Sequence, residues 1–261
     1  MTSVIEASQP SDKNETGKVL VQGRGLSIRF DHFKVLDNLN FDLFEKESLV
    51  LIGPSGQGKT TLLKVIAGLV EPTTGQLDFE GENWSKLSIT QRNRHFRKRG
   101  MLFQKNALFD SMTALQNVSF PLLETTEEST TAIEKKALQL LEDVGLGQAA
   151  GLFPDEMSGG MQKRLGIARA LILRPPLLLN DDPVAGLDPI TSKKIIQLLL
   201  LLRKETGLTM VSVLNDMNRA FELATRILYV SRGGVLDLGG PEEARQTKDL
   251  EVQAFLKGTK S

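Results

Sequence analysis

The alternation of apolar and polar residues divides the chain before any chemistry is considered. Over residues 19–30 and 35–44 the two classes alternate with the period of half-buried strands, which predicts an antiparallel arrangement. Leu49-Val50-Leu51-Ile52 is short and wholly apolar, the pattern of a strand buried on both faces. Residues 61–68 then switch to helical spacing, and Leu77-Asp78-Phe79 reads as a short strand after the turn marked by Pro72 and Gly75. From residue 106 to about 156 strand signal is scarce. Helices are expected over 113–123 and 130–144, separated by a polar stretch at 124–129. Beyond it the order becomes helix 158–173, strand 177–181, helix 191–206, then strands 209–214 and 227–230. The leucines at 198–202 predict a helix buried on most sides. Together these elements predict an α/β domain with a helical insertion.

Between the apolar strand and the helix stands Gly53-Pro54-Ser55-Gly56-Gln57-Gly58-Lys59-Thr60, which fits G-x-x-x-x-G-K-[ST] in the strand–turn–helix context that motif requires. The glycines let backbone N–H groups converge on a polyphosphate, and the helix N-terminus adds partial positive charge. Lys59 is expected to reach the β- and γ-phosphates, and the Thr60 hydroxyl to ligate Mg²⁺.

Composition narrows the class. The 261 residues suffice for one large domain or two modest ones. Lys+Arg and Asp+Glu both number 32, so no bulk charge argues for nucleic acid or an anionic membrane. There are no cysteines, which excludes disulfides and thiolate metal sites. Residues 1–17 are polar and aperiodic, the pattern of a disordered leader without a signal-peptide core, and no window approaches the ~18 apolar residues of a membrane span. Arg92, Arg94, Arg97, Lys98 and Arg99 form a local basic run, read as a solvated helix face in preference to a nucleic-acid patch. His95 within it has no second histidine nearby to suggest a metal.

Two further stretches carry chemistry. The strand Leu177-Leu178-Leu179-Asn180 ends in Asp181-Asp182; in a P-loop nucleotidase one such acid holds Mg²⁺ and a second orients the attacking water. Ser158-Gly159-Gly160 opens a helix with small residues, a second anion-binding geometry, which suggests that two chains share each nucleotide. Phe30, at the end of an alternating run, fits either a core strand position or a platform for an adenine ring.

In this order the residues resemble an ATP-binding cassette, the nucleotide-binding subunit of ABC transporters. The phosphate loop corresponds to the Walker A motif, with Thr61 beside it among the nucleotide-binding positions, and Phe30 to the adenine-stacking aromatic. Phe103-Gln104 resembles the Q-loop, which makes Gln104 a metal-sensing and catalytic position, and residues 157–162 resemble the signature motif. Residues 177–182 resemble the Walker B strand, with Asp181 as metal ligand. Ala185-Gly186-Leu187-Asp188 resembles the D-loop. The resemblance implies a P-loop NTPase (RecA-like) core, an N-terminal antiparallel β-subdomain and an inserted α-helical subdomain at about 105–160, within a cassette spanning 18–240 and followed by a tail at 241–261. It further implies a head-to-tail dimer around two ATP molecules with Mg²⁺, permease subunits as partners, and a place on the cytoplasmic face of the cell membrane. A narrower resemblance, to the cassettes of Mla/MCE-associated lipid transporters, rests on residues 107–113, 117–122, 158–161, 188–191 and 252–258. It implies phospholipid transport with a periplasmic MCE-type lipid-binding partner; an importer cassette for a small solute is the alternative.

Three positions depart from the family pattern. Asp182 stands where glutamate is usual, Asn215 where the switch histidine is usual, and Glu47 where a turn glycine is common. Asp is one methylene shorter than Glu, and Asn cannot carry charge. The expectation is intact ATP binding with slow hydrolysis, at the limit an ATP-gated structural subunit.

Overall fold

The computed structural model describes residues 17–30, 33–231 and 234–258. The leader expected at 1–17 lies outside them except for its last residue. The chain divides into two compact units, one of residues 1–95 with 213–261 and the other of residues 96–212.

The first unit begins with β1 (Val19–Phe30) and β2 (Phe33–Phe44), which pair antiparallel as the alternation predicts. A register shift between Ile28↔Leu36 and Arg29↔Lys34 leaves Val35 as the extra residue of a β-bulge. Strand β3 (Ser48–Ile52) is buried along its whole length and leads into α1 (Lys59–Ile66). Then come β4 (Thr74–Phe79), β5 (Glu82–Asn83) and α2 (Ile89–Arg97). Strands β2, β1, β4 and β5 form one sheet in that order. Of the basic run, Arg92, Arg94 and Arg97 lie on α2, whereas Lys98 is past its end and Arg99 opens the next strand. Nor is it wholly solvated, since Arg92 covers the Trp84 ring at 5.0 Å and buried His95 meets Glu82 at 2.8 Å. The turn between β2 and β3 is closed by the Glu47 carboxylate, which accepts from the Phe44 amide at 2.7 Å and from Arg226 at 3.2 Å. Lys46 supplies the positive φ there, so a glycine at 47 is not required.

In the second unit β6 (Arg99–Leu102) is followed by α3 (Ala114–Thr125), α4 (Thr130–Asp143) and α5 (Gly159–Leu171). Their apolar positions recur at helical spacing: Ala114, Val118 and Leu122; Ile133, Ala137 and Leu141; Leu165, Ala168 and Ile172. These meet in one core. Side-chain caps start the helices: Thr113 with Gln116 as a capping box, Ser129, and Ser158. Strand β7 (Leu177–Asp181) and helix α6 (Pro189–Thr206) follow, then β8 (Thr209–Val213), with β8, β7 and β6 side by side. The leucine run corrects the expectation drawn from it. Helix α6 buries Ile195, Ile196 and Leu199, whereas Leu201 is 50% exposed, because 3.6-residue periodicity carries consecutive leucines around the helix.

Returning to the first unit, α7 (Met217–Leu223), β9 (Arg226–Ser231) and β10 (Gly234–Asp237) lead to α8 (Pro241–Arg245) and α9 (Leu250–Gly258). Strand β9 runs parallel to β3 and antiparallel to β10. The stretch expected as a tail at 241–261 thus holds two helices. Val252 is fully buried, and Phe255 packs on Tyr229 with ring centroids 5.4 Å apart.

Candidate functional site

The phosphate loop is shaped by contacts that only glycine permits. Gly53 has φ 138°, and a Cβ there would lie 2.2 Å from the Val230 carbonyl oxygen. Gly58 has φ 97° at the N-cap of α1, and a Cβ would meet Val35 at 3.0 Å and Leu36 at 3.1 Å. Gly58 offers no side-chain cap, and the first bond of the α1 ladder is from the Leu62 amide to the Gly58 carbonyl at 2.8 Å, so the helix opens at the loop. Lys59 is buried and donates to the Gly53 carbonyl at 2.7 Å and the Pro54 carbonyl at 2.9 Å, which folds its ammonium over the loop. Ser55 and Gly56 are exposed at the loop's crest. The loop therefore sets the N-terminus of α1 and the Lys59 ammonium side by side, the arrangement that a polyphosphate needs.

Two other positions named from sequence belong to the same unit. Phe30 is half exposed, which removes the core alternative for it. Asn215 is exposed beside Asp216, whose carboxylate caps α7 by accepting from the Asn218 and Arg219 amides.

The second unit gathers the acids and the signature turn. Asp181 ends β7, and Asp182 follows it with φ 49°, a left-handed conformation that aspartate tolerates better than most residues. Both are buried. Gln104 is exposed after β6, and its carbonyl oxygen accepts from Lys163 at 2.6 Å. Burial pushes the Lys163 ammonium below the usual lysine range, against the opposing pull of Asp182 and Asp181. Arg169, two turns further along α5, donates to the carbonyls of Asn106 at 2.9 Å and Ala107 at 2.7 Å, both residues with positive φ. One helix thus fixes the loop that carries Gln104 from behind.

Ser158 and Gly159 are exposed, and Ser158 caps α5 by accepting from the Met161 amide at 3.3 Å, while Gly160 is buried. Gln162 holds the approach to this turn through the Pro154 carbonyl at 2.7 Å, and Arg164 binds the Val144 and Gly145 carbonyls at 3.1 and 2.9 Å. Asp188 is exposed at the N-cap of α6; the hydroxyl and amide of Thr191 hold its carboxyl below the ordinary range.

Lys163 and Arg169 escaped the sequence reading. A signal was available for the first: Lys163 shares a helical face with Gly166 and Ile167, both buried, so periodicity puts a charge inside. Among the described residues no cluster of three His, Cys, Asp or Glu side chains is assembled. The implied Mg²⁺ set of Thr60, Gln104 and Asp181 contains one carboxylate. It suits an ion that keeps waters and takes much of its coordination from phosphate oxygens.

Comparison with known proteins agrees with this chemistry. The family described as "ABC transporter" matches residues 36–185. The intermembrane phospholipid transport system ATP-binding protein MlaF of Haemophilus influenzae is 36% identical over 92% of this chain and 90% of its own length. The sulfate/thiosulfate import ATP-binding protein CysA of Pseudomonas aeruginosa is 38% identical over 85% of this chain and 67% of its own length. Among solved structures, a dimeric ATP-binding cassette in a post-hydrolysis state bound to ADP and Pi superposes with TM-score 0.77 at 34% identity. That match covers 85% of this chain and all of that one. The α/β architecture with its antiparallel sheet and helical segment is that of a P-loop cassette, and ATP with Mg²⁺ is what such a site takes. The chain belongs to the ABC transporter family, as one of its ATP-hydrolysing cassettes.

Proposed function

We propose that the chain is the ATP-binding subunit of a phospholipid transporter, acting as a head-to-tail dimer beneath transmembrane permease subunits on the inner face of the cell membrane. One observation carries the lipid reading. The similarity to the phospholipid transport protein, 36% identical, covers 92% of this chain and 90% of that one. The reading includes a periplasmic MCE-type lipid-binding partner. Among the described residues no helix is long and apolar enough to cross a membrane, and in this reading the lipid path belongs to the permease.

Each site residue then has a task. Lys59 and the N–H groups at the start of α1 hold the β- and γ-phosphates, with the rest of the 53–61 stretch shaping the cradle. Thr60, Asp181 and Gln104 hold Mg²⁺, which when bound neutralises charge developing on the phosphate oxygens. Asp182 orients the attacking water and accepts its proton. Asn215 donates a neutral hydrogen bond to the γ-phosphate. Ser158, Gly159, Gly160 and Asp188 serve the nucleotide held mainly by the opposing chain. With Asp182 short and Asn215 uncharged, the cycle is slow, and the ATP-closed dimer is its long-lived state.

The test is to substitute Lys59→Ala in the cells that make the protein and follow both envelope phospholipid distribution and sulfate uptake. Phospholipid distribution is expected to shift as in a deletion strain. Unchanged phospholipids with collapsed sulfate uptake would replace the lipid reading with the small-solute one.

A further inference from the structure

The β1–β2 hairpin carries an aromatic pair that the reading above uses only in part. Phe30 and Phe33 are directly opposed in the antiparallel register, so their side chains stand on the same face of the hairpin. Both are open to solvent, Phe30 by 50% and Phe33 by 79%. The bulge at Val35 determines which face this is. It turns Val35 and Leu36 to the same side, and both of them border Gly58 in the phosphate loop at 3.0–3.1 Å from where its Cβ would be. Phe33 lies two residues before Val35 on the same strand, hence on the side that abuts the loop. At roughly 3.3 Å per residue it is about 7–10 Å further along. A nucleotide whose phosphates sit in the loop extends its sugar and base over that order of distance.

Two exposed aromatic rings on one face, at that spacing from a phosphate cradle and in the same compact unit, form a platform wider than one residue. Among the described residues of the hairpin, the nearest charged side chains point elsewhere. Lys34 and Arg29 are on the other face of the hairpin, where Lys34 pairs with Asp37 at 2.6 Å.

Resting on the nucleotide reading, we infer that Phe33 is a second base-stacking residue, which with Phe30 makes a two-ring platform for the purine of the bound nucleotide. Stacking of this kind recognises the flat face of the base and leaves the triphosphate untouched.

The experiment measures binding to the full chain by titration calorimetry in EDTA, using ATP and, as a base-free probe, inorganic tripolyphosphate. The variants are Phe33→Ala, Phe33→Trp, Phe30→Ala and the double alanine. Phe33→Ala is expected to weaken ATP binding roughly 5- to 50-fold, as loss of one base–aromatic stack does. Its tripolyphosphate affinity should equal that of the parent, and Phe33→Trp should restore ATP affinity. ATP binding by Phe33→Ala within twofold of the parent, with Phe30→Ala weakened, would overturn the inference. Equal weakening of ATP and tripolyphosphate would overturn it too, because the residue would then support the phosphate loop and not the base. If the parent chain binds neither probe, the nucleotide reading itself falls, a result distinct from both.

Discussion

Residue 182 offers the sharpest test of the catalytic argument. Replacing Asp182 with glutamate extends the carboxylate by one C–C bond, about 1.5 Å. A general base works only when it lies roughly 2.6–3.2 Å from the proton's heavy atom, a window narrower than that extension. If the parent aspartate falls short of the water, Asp182→Glu recovers a base whose contribution is typically ~10²–10⁴-fold. The structure also sets a cost. Residue 182 has φ 49°, where aspartate is tolerated and glutamate less so, and the strain is on the order of 1 kcal/mol. That corresponds to a melting point lower by roughly 2–4 °C. The expected outcome is therefore paired: steady-state phosphate release at saturating Mg-ATP rises at least tenfold, while thermal stability falls slightly. Adding Asn215→His should raise turnover further, by less than the product of the single effects, because the proposed function has both groups serve one hydrolytic step. Lys59→Ala supplies the blank. Parental turnover already within the ordinary enzyme range of roughly 1–10³ s⁻¹, unmoved by either substitution, would refute the reasoning.

Other expectations concern the fold around the site. Asn180 is fully buried in β7; its amide donates to Ser212 at 3.0 Å, but its Oδ1 has no hydrogen-bond partner. Ser212→Ala should cost about 1–2 kcal/mol in urea unfolding, while Asn180→Leu with Ser212→Ala should be neutral or stabilising; a double variant weaker than the single would contradict this. Tyr229 is the only tyrosine, and burial, with Glu251 beside it, pushes its hydroxyl up to about 12 from the ordinary 10. Its absorbance titration should sit near 12 in the folded chain. Because the folded form then holds a proton that the unfolded form has lost, stability is complete below pH ~10 and declines toward 12, a slope that Tyr229→Phe should reduce. Glu47→Ala removes the acceptor for the Phe44 amide and a partner of Arg226, and should lower stability by about 1–3 kcal/mol in the same unfolding assay.

The parts of the molecule legible in sequence are those whose cause is local. The phosphate loop was readable because positive φ and close backbone approach demand glycine at 53 and 58, and because strand and helix flank it directly. Helices α3, α4 and α5 were readable from a strict apolar spacing. Elements that went unread take their reason from elsewhere in the chain. Helix α9 is short, and what fixes it is Tyr229, whose hydroxyl donates to Glu251 at 3.0 Å across a separation of 22 residues. Strand β10 is only four residues long and half exposed, so its pairing with β9, and not its pattern, defines it.

A common physical cause joins the side chains that sequence reasoning passed over. Lys163, Arg169 and Asn180 are polar groups on faces that periodicity assigns to the interior, and each is held there by a partner distant in sequence. Burying a polar or charged group is costly unless a partner compensates it, so such a residue on an apolar face marks a place where backbone carbonyls or another side chain need a donor. For Lys163 and Arg169 the acceptors are carbonyls of Gln104, Asn106 and Ala107, a loop that no apolar pattern could hold. A hydrophobic core would fix the strands but leave that loop free to wander. Buried Lys163 and half-buried Arg169, on one helix, tie it to the same unit as Asp181 and Asp182, and the proposed Mg²⁺ role of Gln104 calls for such a fixed loop.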